Sequence, residues 1–275
     1  MVTKANCKLV VETLILRGLN VNAKDNKWKT PLHIATENGF IDIMDILLEN
    51  GSDPNAKCKN GTTPLYFAAE NTCSTKELAE LLILHGAEIN TKLNNGINAL
   101  FLAAEKDNFQ VAEYLISKGI DINLTNISGK NVIHYAVENK SLHVIDLFVS
   151  HGVNINQKDR YQKTPLHYAA ENDYAKITET LLSLGADVNV KDKIGKPPLH
   201  YASEKKYKEI PDDMFEKDTF KVTTIEKSVE TAKVLLSYGA NVNAKDKFGK
   251  TAYYYAQQSG ARRIYDLIIS MFWLE

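Results

Sequence analysis

The spacing of glycine constrains this chain more than any other feature. Seven of its 14 glycines close similar apolar segments: Gly18, Gly51, Gly86, Gly119, Gly152, Gly185 and Gly239, with separations of 33, 35, 33, 33, 33 and 54 residues. A sustained 33-residue period makes a chain an array of one repeated supersecondary unit, not a globule around one centre. Gly61, Gly96, Gly129, Gly195 and Gly249 come ten residues after members of the first set, and Gly39 and Gly260 share a phase between two helical stretches. Every glycine therefore has a place in the pattern.

Residues 159–191, DRYQKTPLHYAAENDYAKITETLLSLGADVNVK, show what one unit is. Thr164 is suited to cap a helix by accepting a backbone N–H, and Pro165 comes next in the first turn, where its missing donor costs nothing. A short helix, LHYAAEN, ends near Asp173. A second, AKITETLLSL, carries Ile177, Leu181, Leu182 and Leu184 on one side, and Gly185 terminates it. The turn-rich ADVNVKDKIGK then forms a finger. Such a pair of short helices cannot bury its apolar face alone and needs neighbours.

The segments TPLHIATENG (30–39), TPLYFAAEN (63–71), TPLHYAAEN (164–172) and PPLHYASE (197–204), with the closers GADVNVKD (185–192) and GANVNAKD (239–246), resemble the ankyrin repeat. The resemblance extends over essentially the whole chain. It implies an all-α, α-solenoid fold of stacked helix-turn-helix units with hairpin loops. The units fall at 25–57, 58–92, 93–125, 126–158, 159–191, 192–245 and 246–275 of one domain, with a partial repeat at 1–24. TPLH becomes NALF at 98–101, NVIH at 131–134 and TAYY at 251–254, while Trp28 and Gln162 stand where other units carry glycine. The segment from Leu181 to Asn189 is also of the kind that the family offers to asparagine hydroxylases.

Two irregularities stand out. The unit at 192–245 is 21 residues longer than the period, with the extra chain at about 206–226, between its helices. An insertion of this size is cheap in loop-closure entropy. It brings Met214, Phe215 and Phe220, which have no repeat role and form a separate candidate anchor for a partner. The last helix ends on Met271, Phe272, Trp273 and Leu274, where a terminal unit should be polar. These residues serve as a cap, as a docking end, or as a joint to further units.

Charge is balanced overall, with 33 Lys and Arg against 34 Asp and Glu. Along the fingers, sixteen cations face eight acids, a local excess of +8 in a chain of net charge −1. The finger edge should be basic and the helical body acidic; solubilising exposed hairpins accounts for most of that lysine. Glu37, Glu70, Glu105, Glu138, Glu171 and Glu204 recur at one point of the first helix. At about 10 Å in water, neighbouring charges repel by only about 0.4 kcal/mol, so such a ladder is tolerable without a function. Lys outnumbers Arg 29 to 4, which argues against sequence-specific nucleic-acid recognition.

No phosphate-binding glycine loop, nucleophile elbow or HExxH string occurs. His33, His134, His167 and His200 each precede a glutamate by four residues, but they lie in a linear ladder of structural positions and do not converge on a metal or catalytic site. No cofactor is implied. Cys7, Cys58 and Cys73 contain no CxxC pair, which suits a reducing, cytoplasmic setting. No apolar run reaches membrane-spanning length, and the opening residues are not read as a leader.

The expected function is that of a non-enzymatic, monomeric scaffold or adaptor. Its partner is another protein, acidic or of mixed charge, held on the groove and fingers. The candidate contacts are the irregular positions Trp28, Lys29, Asn38, Asn71, Lys106, Tyr161, Lys163, Lys196, Phe248 and Lys250. The alternative is a targeting module of a larger enzyme, or an effector of a parasite or intracellular bacterium delivered into a host cell.

Overall fold

The computed structural model describes residues 4–72, 76–204 and 229–272, with side chains from residue 8 to residue 271 of these. Among them every regular element is helical, as the repeat predicts. The chain divides into two compact units, Met1–Ile127 and Ser128–Glu275.

In the first unit, α1 (Lys4–Leu16) precedes three helix pairs: α2 (Pro31–Glu37) with α3 (Ile41–Glu49), α4 (Pro64–Glu70) with α5 (Glu77–Leu84), and α6 (Ala99–Glu105) with α7 (Phe109–Ser117). First helices stack on first helices, α2 on α4 on α6, and second helices on second, α1 on α3 on α5 on α7. An apolar cavity of about 300 Å³ between α1, α2 and α3 is lined by residues including Leu14, Ile34, Phe40 and Leu47.

The second unit repeats the pattern. It contains α8 (Val132–Glu138) with α9 (His143–Ser150), α10 (Pro165–Glu171) with α11 (Ala175–Ser183), α12 (Pro198–Ser203), a helix described over 229–237 (α13), and α14 (Ala252–Gln258) with α15 (Arg262–Phe272). Here α8, α10, α12 and α14 form the stack of first helices. The long sequence insertion falls between α12 and α13. Its residues Met214, Phe215 and Phe220 lie outside the described residues. The stack is regular on both sides of it, because α12 packs directly on α14 and Ser259 donates to the Ser203 carbonyl at 2.9 Å.

Small side chains let the short first helices approach closely. Ala68, Ala69, Ala103, Ala104, Ala136, Ala169 and Ala170 are fully buried. The second helices supply larger groups, with Leu78, Leu82, Leu115, Ile145, Phe148 and Leu181 sealed from water. Each such side chain contributes about 1.5–3 kcal/mol by burial, and only stacking makes that burial possible.

Asparagines tie one loop to the next. Asn22 donates to the Gly51 carbonyl at 2.9 Å and accepts from the Asp53 N–H at 2.8 Å. Asn189 donates to the Gly239 carbonyl at 3.1 Å and accepts from the Asn241 N–H at 2.8 Å. The amide of Asn189 thus holds together the two loops that flank the insertion in sequence.

The two residues standing in for glycine adopt its backbone conformation. Trp28 and Gln162 have φ of 63° and 60°, a region that costs an L-residue about 1–2 kcal/mol. At Gly129 glycine answers a second demand, because an added Cβ would stand 3.1 Å from the Asp159 Cα of the next finger.

Replacing Gln162 by Gly is expected to stabilise the fold by about 0.5–1 kcal/mol, the relieved strain less the greater unfolded-state freedom of glycine. Gly129→Ala should lose more stability than Gly152→Ala. The two share a positive φ, but nothing stands within 4 Å of a Cβ at Gly152. Urea unfolding midpoints of the three variants check both expectations.

Candidate functional site

Within each of the two units, the chemistry-bearing side chains of the repeat are joined by contacts of a recurring kind. The first component is the motif histidine. The Thr30 N–H donates to Nδ1 of His33 at 3.1 Å, Asn131 to His134 at 3.2 Å and Thr164 to His167 at 3.0 Å. With Nδ1 accepting, the proton sits on Nε2, which donates to the carbonyl of the next finger. His33 reaches Thr62 at 3.2 Å, His134 reaches Lys163 at 3.3 Å, and His167 reaches Lys196 at 3.0 Å. The imidazole therefore caps its own helix and ties it to the next finger. The sequence suits Thr164 to cap through its hydroxyl. That hydroxyl takes part in a capping box, accepting from the His167 backbone N–H while the His167 ring accepts the Thr164 N–H, and it also lies 2.9 Å from His167 Nδ1.

Four units vary the scheme, with Phe101 holding the histidine position in α6 and Tyr254 in α14. Tyr66 takes the histidine position in α4, and its hydroxyl reaches the carbonyls of Ile97 at 2.9 Å and Thr91 at 2.7 Å. His200 keeps its bond to the Lys250 carbonyl at 3.0 Å. The residue before its helix is Pro197, which has no N–H, and His200 Nδ1 is buried without a partner. In the other three histidines both nitrogens are engaged with protein groups, so neither is free to bind metal.

The second component is an aspartate–tyrosine pair at the base of each finger of the second unit. Asp159 accepts the N–H groups of Tyr161 and Lys163 at 2.8 and 2.9 Å on one oxygen, and the Tyr168 hydroxyl at 2.6 Å on the other. Asp192 does the same for Ile194, Lys196 and Tyr201, and Asp246 for Phe248, Lys250 and Tyr255. Burial and then the aspartate bond raise the Tyr168 and Tyr201 phenols. Burial alone would raise the Asp246 carboxyl; the bonds from Tyr255, Lys250 and Phe248 outweigh it, and the group is lowered. The sequence expectations do not include this pair, although its signal, an Asp-to-Tyr spacing of nine, recurs three times.

The third component is the lysine just before the first helix, present ahead of α2, α8, α10, α12 and α14 and replaced by Thr62 ahead of α4 and Ile97 ahead of α6. Lys29 pairs with Glu37 at 2.6 Å, Lys163 with Glu171 at 2.7 Å and Lys196 with Glu204 at 2.7 Å, and Lys130 pairs with Glu138. Each ammonium also lies over an aromatic ring of the next unit: Lys29 over Phe67 at 4.6 Å, Lys130 over Tyr168 at 4.3 Å, Lys163 over Tyr201 at 4.1 Å and Lys196 over Tyr255 at 4.0 Å. Lys106 meets Glu105 at 3.0 Å and Glu70 at 3.6 Å. All six glutamates of the ladder are thereby paired within the chain, Glu70 and Glu105 sharing Lys106.

These contacts divide the sequence candidates. Lys29, Lys106, Lys163 and Lys196 are held in ion pairs, with the Lys196 side chain only 8% exposed. Asn38 caps its own helix through the Ile34 carbonyl at 2.8 Å, and Asn71 donates to the Glu37 carbonyl at 3.1 Å. Lys250 lies over the Tyr254 ring at 3.9 Å. Trp28, Tyr161 and Phe248 point outward, at 54%, 50% and 68% exposure. Met214, Phe215 and Phe220 are outside the described residues.

A family profile described as ankyrin repeats (3 copies) matches residues 1–92, 53–126, 71–159, 100–192 and 160–223. A putative ankyrin repeat protein of Fowlpox virus (strain NVSL), FPV219, is 48% identical over 44 residues, which span 16% of this chain and 10% of that protein. The crystal structure of the human ASB11 ankyrin repeat domain superposes with a TM-score of 0.73 at 24% identity, covering 87% of this chain and 98% of that one. That likeness establishes the fold.

Tyr201→Phe keeps the ring beneath Lys163 but strips Asp192 of a partner, and is expected to cost about 1–3 kcal/mol. Tyr254→Phe, whose hydroxyl caps no aspartate, should be close to neutral in the same denaturant titration.

Acid should also weaken the fold. Burial holds His134 and His167 down to about 4 and lowers His33 and His200 in the same direction. The unfolded chain protonates near 6.5, so unfolding takes up protons below that pH. The histidine contribution is complete above about 6.5 and is lost as pH falls toward about 4. Urea midpoints should drop through that window, and His134→Gln with His167→Gln should flatten the drop while lowering stability at neutral pH.

Proposed function

Because the chain belongs to the ankyrin-repeat family, whose repeats are generally protein-interaction modules, we propose that it is a non-enzymatic, monomeric scaffold that binds a protein partner on its repeat surface. The observation that carries this reading is the division of the polar side chains. The histidines, finger-base aspartates and helix-flanking lysines are engaged with groups of the chain itself. The outward-facing finger residues are left available for a partner.

A stack of this kind presents side chains in fixed positions, so little ordering entropy opposes binding. The burial of the histidines and tyrosines, and the shifts it causes, have a structural origin in the helix caps and fingers. Among the described residues no helix is long and apolar enough to cross a membrane. The proposed setting is the reducing interior of a cell, to which cysteines without a CxxC pair are suited.

The test is capture from a lysate, identification of the retained protein, and titration of that protein, purified, against the intact chain and a version lacking 207–225. Saturable binding of one partner per chain, with equal affinity for both versions, is the expected result. A correctly folded chain that retains no protein partner overturns the proposal. Binding lost only with the deletion, the deleted version melting normally, moves the site from the repeats to the insertion.

A further inference from the structure

Resting on that reading, we propose that the finger edge of the second unit recognises an extended acidic peptide segment with apolar side chains at every third position. The fingers at 159–163, 192–196 and 246–250 turn their acids inward. Asp159, Asp192 and Asp246 are buried, and their oxygens are taken by backbone N–H groups and tyrosines. Lys163 and Lys196 are neutralised by Glu171 and Glu204. The outward charge is therefore cationic. Arg160, Lys191, Lys193, Lys245 and Lys247 are exposed and, among the described residues, none forms an ion pair. Lys191 spends one donor on the Lys245 carbonyl at 3.0 Å and keeps its charge.

Between these cations stands one exposed apolar side chain per finger, each two residues after the finger's aspartate. They are Tyr161, Ile194 and Phe248, with Ile194 at 38% exposure. Arg160 lies 4.9 Å from the Tyr161 ring centre. Backbone bonds fix the fingers side by side: Lys193 N–H to the Tyr161 carbonyl at 2.9 Å, and Lys247 N–H to the Ile194 carbonyl at 3.0 Å. The three apolar tips thus form a row with a spacing set by helix stacking, about 8–10 Å. A polyproline-II segment rises about 3.1 Å per residue with three residues per turn. Its positions i, i+3 and i+6 face one way with the same spacing, and carboxylates between them meet the cations. A row of cations without apolar tips would suit any polyanion; the tips make the preference one for peptide.

The intact chain would be titrated with a fluorescein-labelled synthetic peptide carrying Leu at i, i+3 and i+6 and Asp or Glu elsewhere, read by anisotropy. Controls are the same residues shuffled, a thymidine oligonucleotide and phosphatidylserine vesicles. We expect saturable binding about tenfold or more tighter than that of the shuffled peptide, weakening with salt as charges screen over about 10 Å at 0.1 M. Ile194→Ser with Phe248→Ser, and separately Lys193→Glu with Lys247→Glu, should each weaken it by about tenfold or more, read well below the melting point of each variant; the lysine pair, on the surface, should melt as the intact chain does. Equal binding of the shuffled peptide, equal competition by the oligonucleotide or vesicles, or indifference to the substitutions overturns the proposal. If the finger variants still hold a partner that the intact chain captures, the scaffold reading stands and this assignment falls. If the folded chain holds neither peptide nor partner, both fall.

Discussion

The bond from a motif histidine to the carbonyl of the next finger is the interaction on which the stack depends. A helix of seven residues has more unsatisfied end groups than internal bonds, and the finger beside it has no sheet to satisfy its backbone. One neutral imidazole addresses both. Its Nδ1 takes the N–H at the helix entry, and its Nε2–H goes to the next unit, as in His167 between Thr164 and Lys196. Where the histidine is absent in α4, Tyr66 reaches the corresponding carbonyl, Ile97. The bond also fixes register: a finger displaced by one residue would leave both the carbonyl and the imidazole unpaired in a dry environment.

This constraint explains the burial of groups that would otherwise suggest catalysis. An imidazole that must accept at one nitrogen and donate at the other has to be neutral, and burial keeps it so. The same reasoning covers the phenols, each tied to the aspartate at the base of its own finger. Pro197 shows the effect of losing one part. The N–H is gone, His200 Nδ1 has no partner, and the bond onward to Lys250 persists. That unit retains the contact that couples it to its neighbour and gives up the one that serves only its own helix.

Much of the fold was legible because backbone requirements leave marks on sequence. A helix that stops and reverses needs a left-handed residue, and all 14 glycines have positive φ. The phase of the pattern even located the two non-glycine residues forced into that conformation at the fingers, Trp28 and Gln162. The network behind the candidate site was harder to read because its members meet across units. Lys163 pairs with Glu171 eight residues on, yet its ammonium covers Tyr201 of the next unit, a contact that only the stacking distance creates. For the same reason Lys29, Lys163 and Lys196 read as surface charges in sequence but are internally engaged in the structure.

That engagement gives the surface its character. A lysine beside a buried aspartate and a nearby glutamate cannot be left unpaired at low exposure without a desolvation penalty, so the chain spends its inner cations on its own carboxylates and rings. The outer cations, one or two residues away in sequence, form no ion pair among the described residues, since the finger-base aspartates beside them face inward. Segregation of charge on the fingers is thus a consequence of holding the fingers together. The unit at 246–275 shows the connection from the other side. Gln258 stands where the earlier units have glutamate, and Lys250, with no carboxylate eight residues on, remains over the Tyr254 ring at 3.9 Å. Removing the acid from the inner pair leaves the lysine in place and adds a positive charge at the end of the row, next to Phe248, the most exposed of its apolar tips.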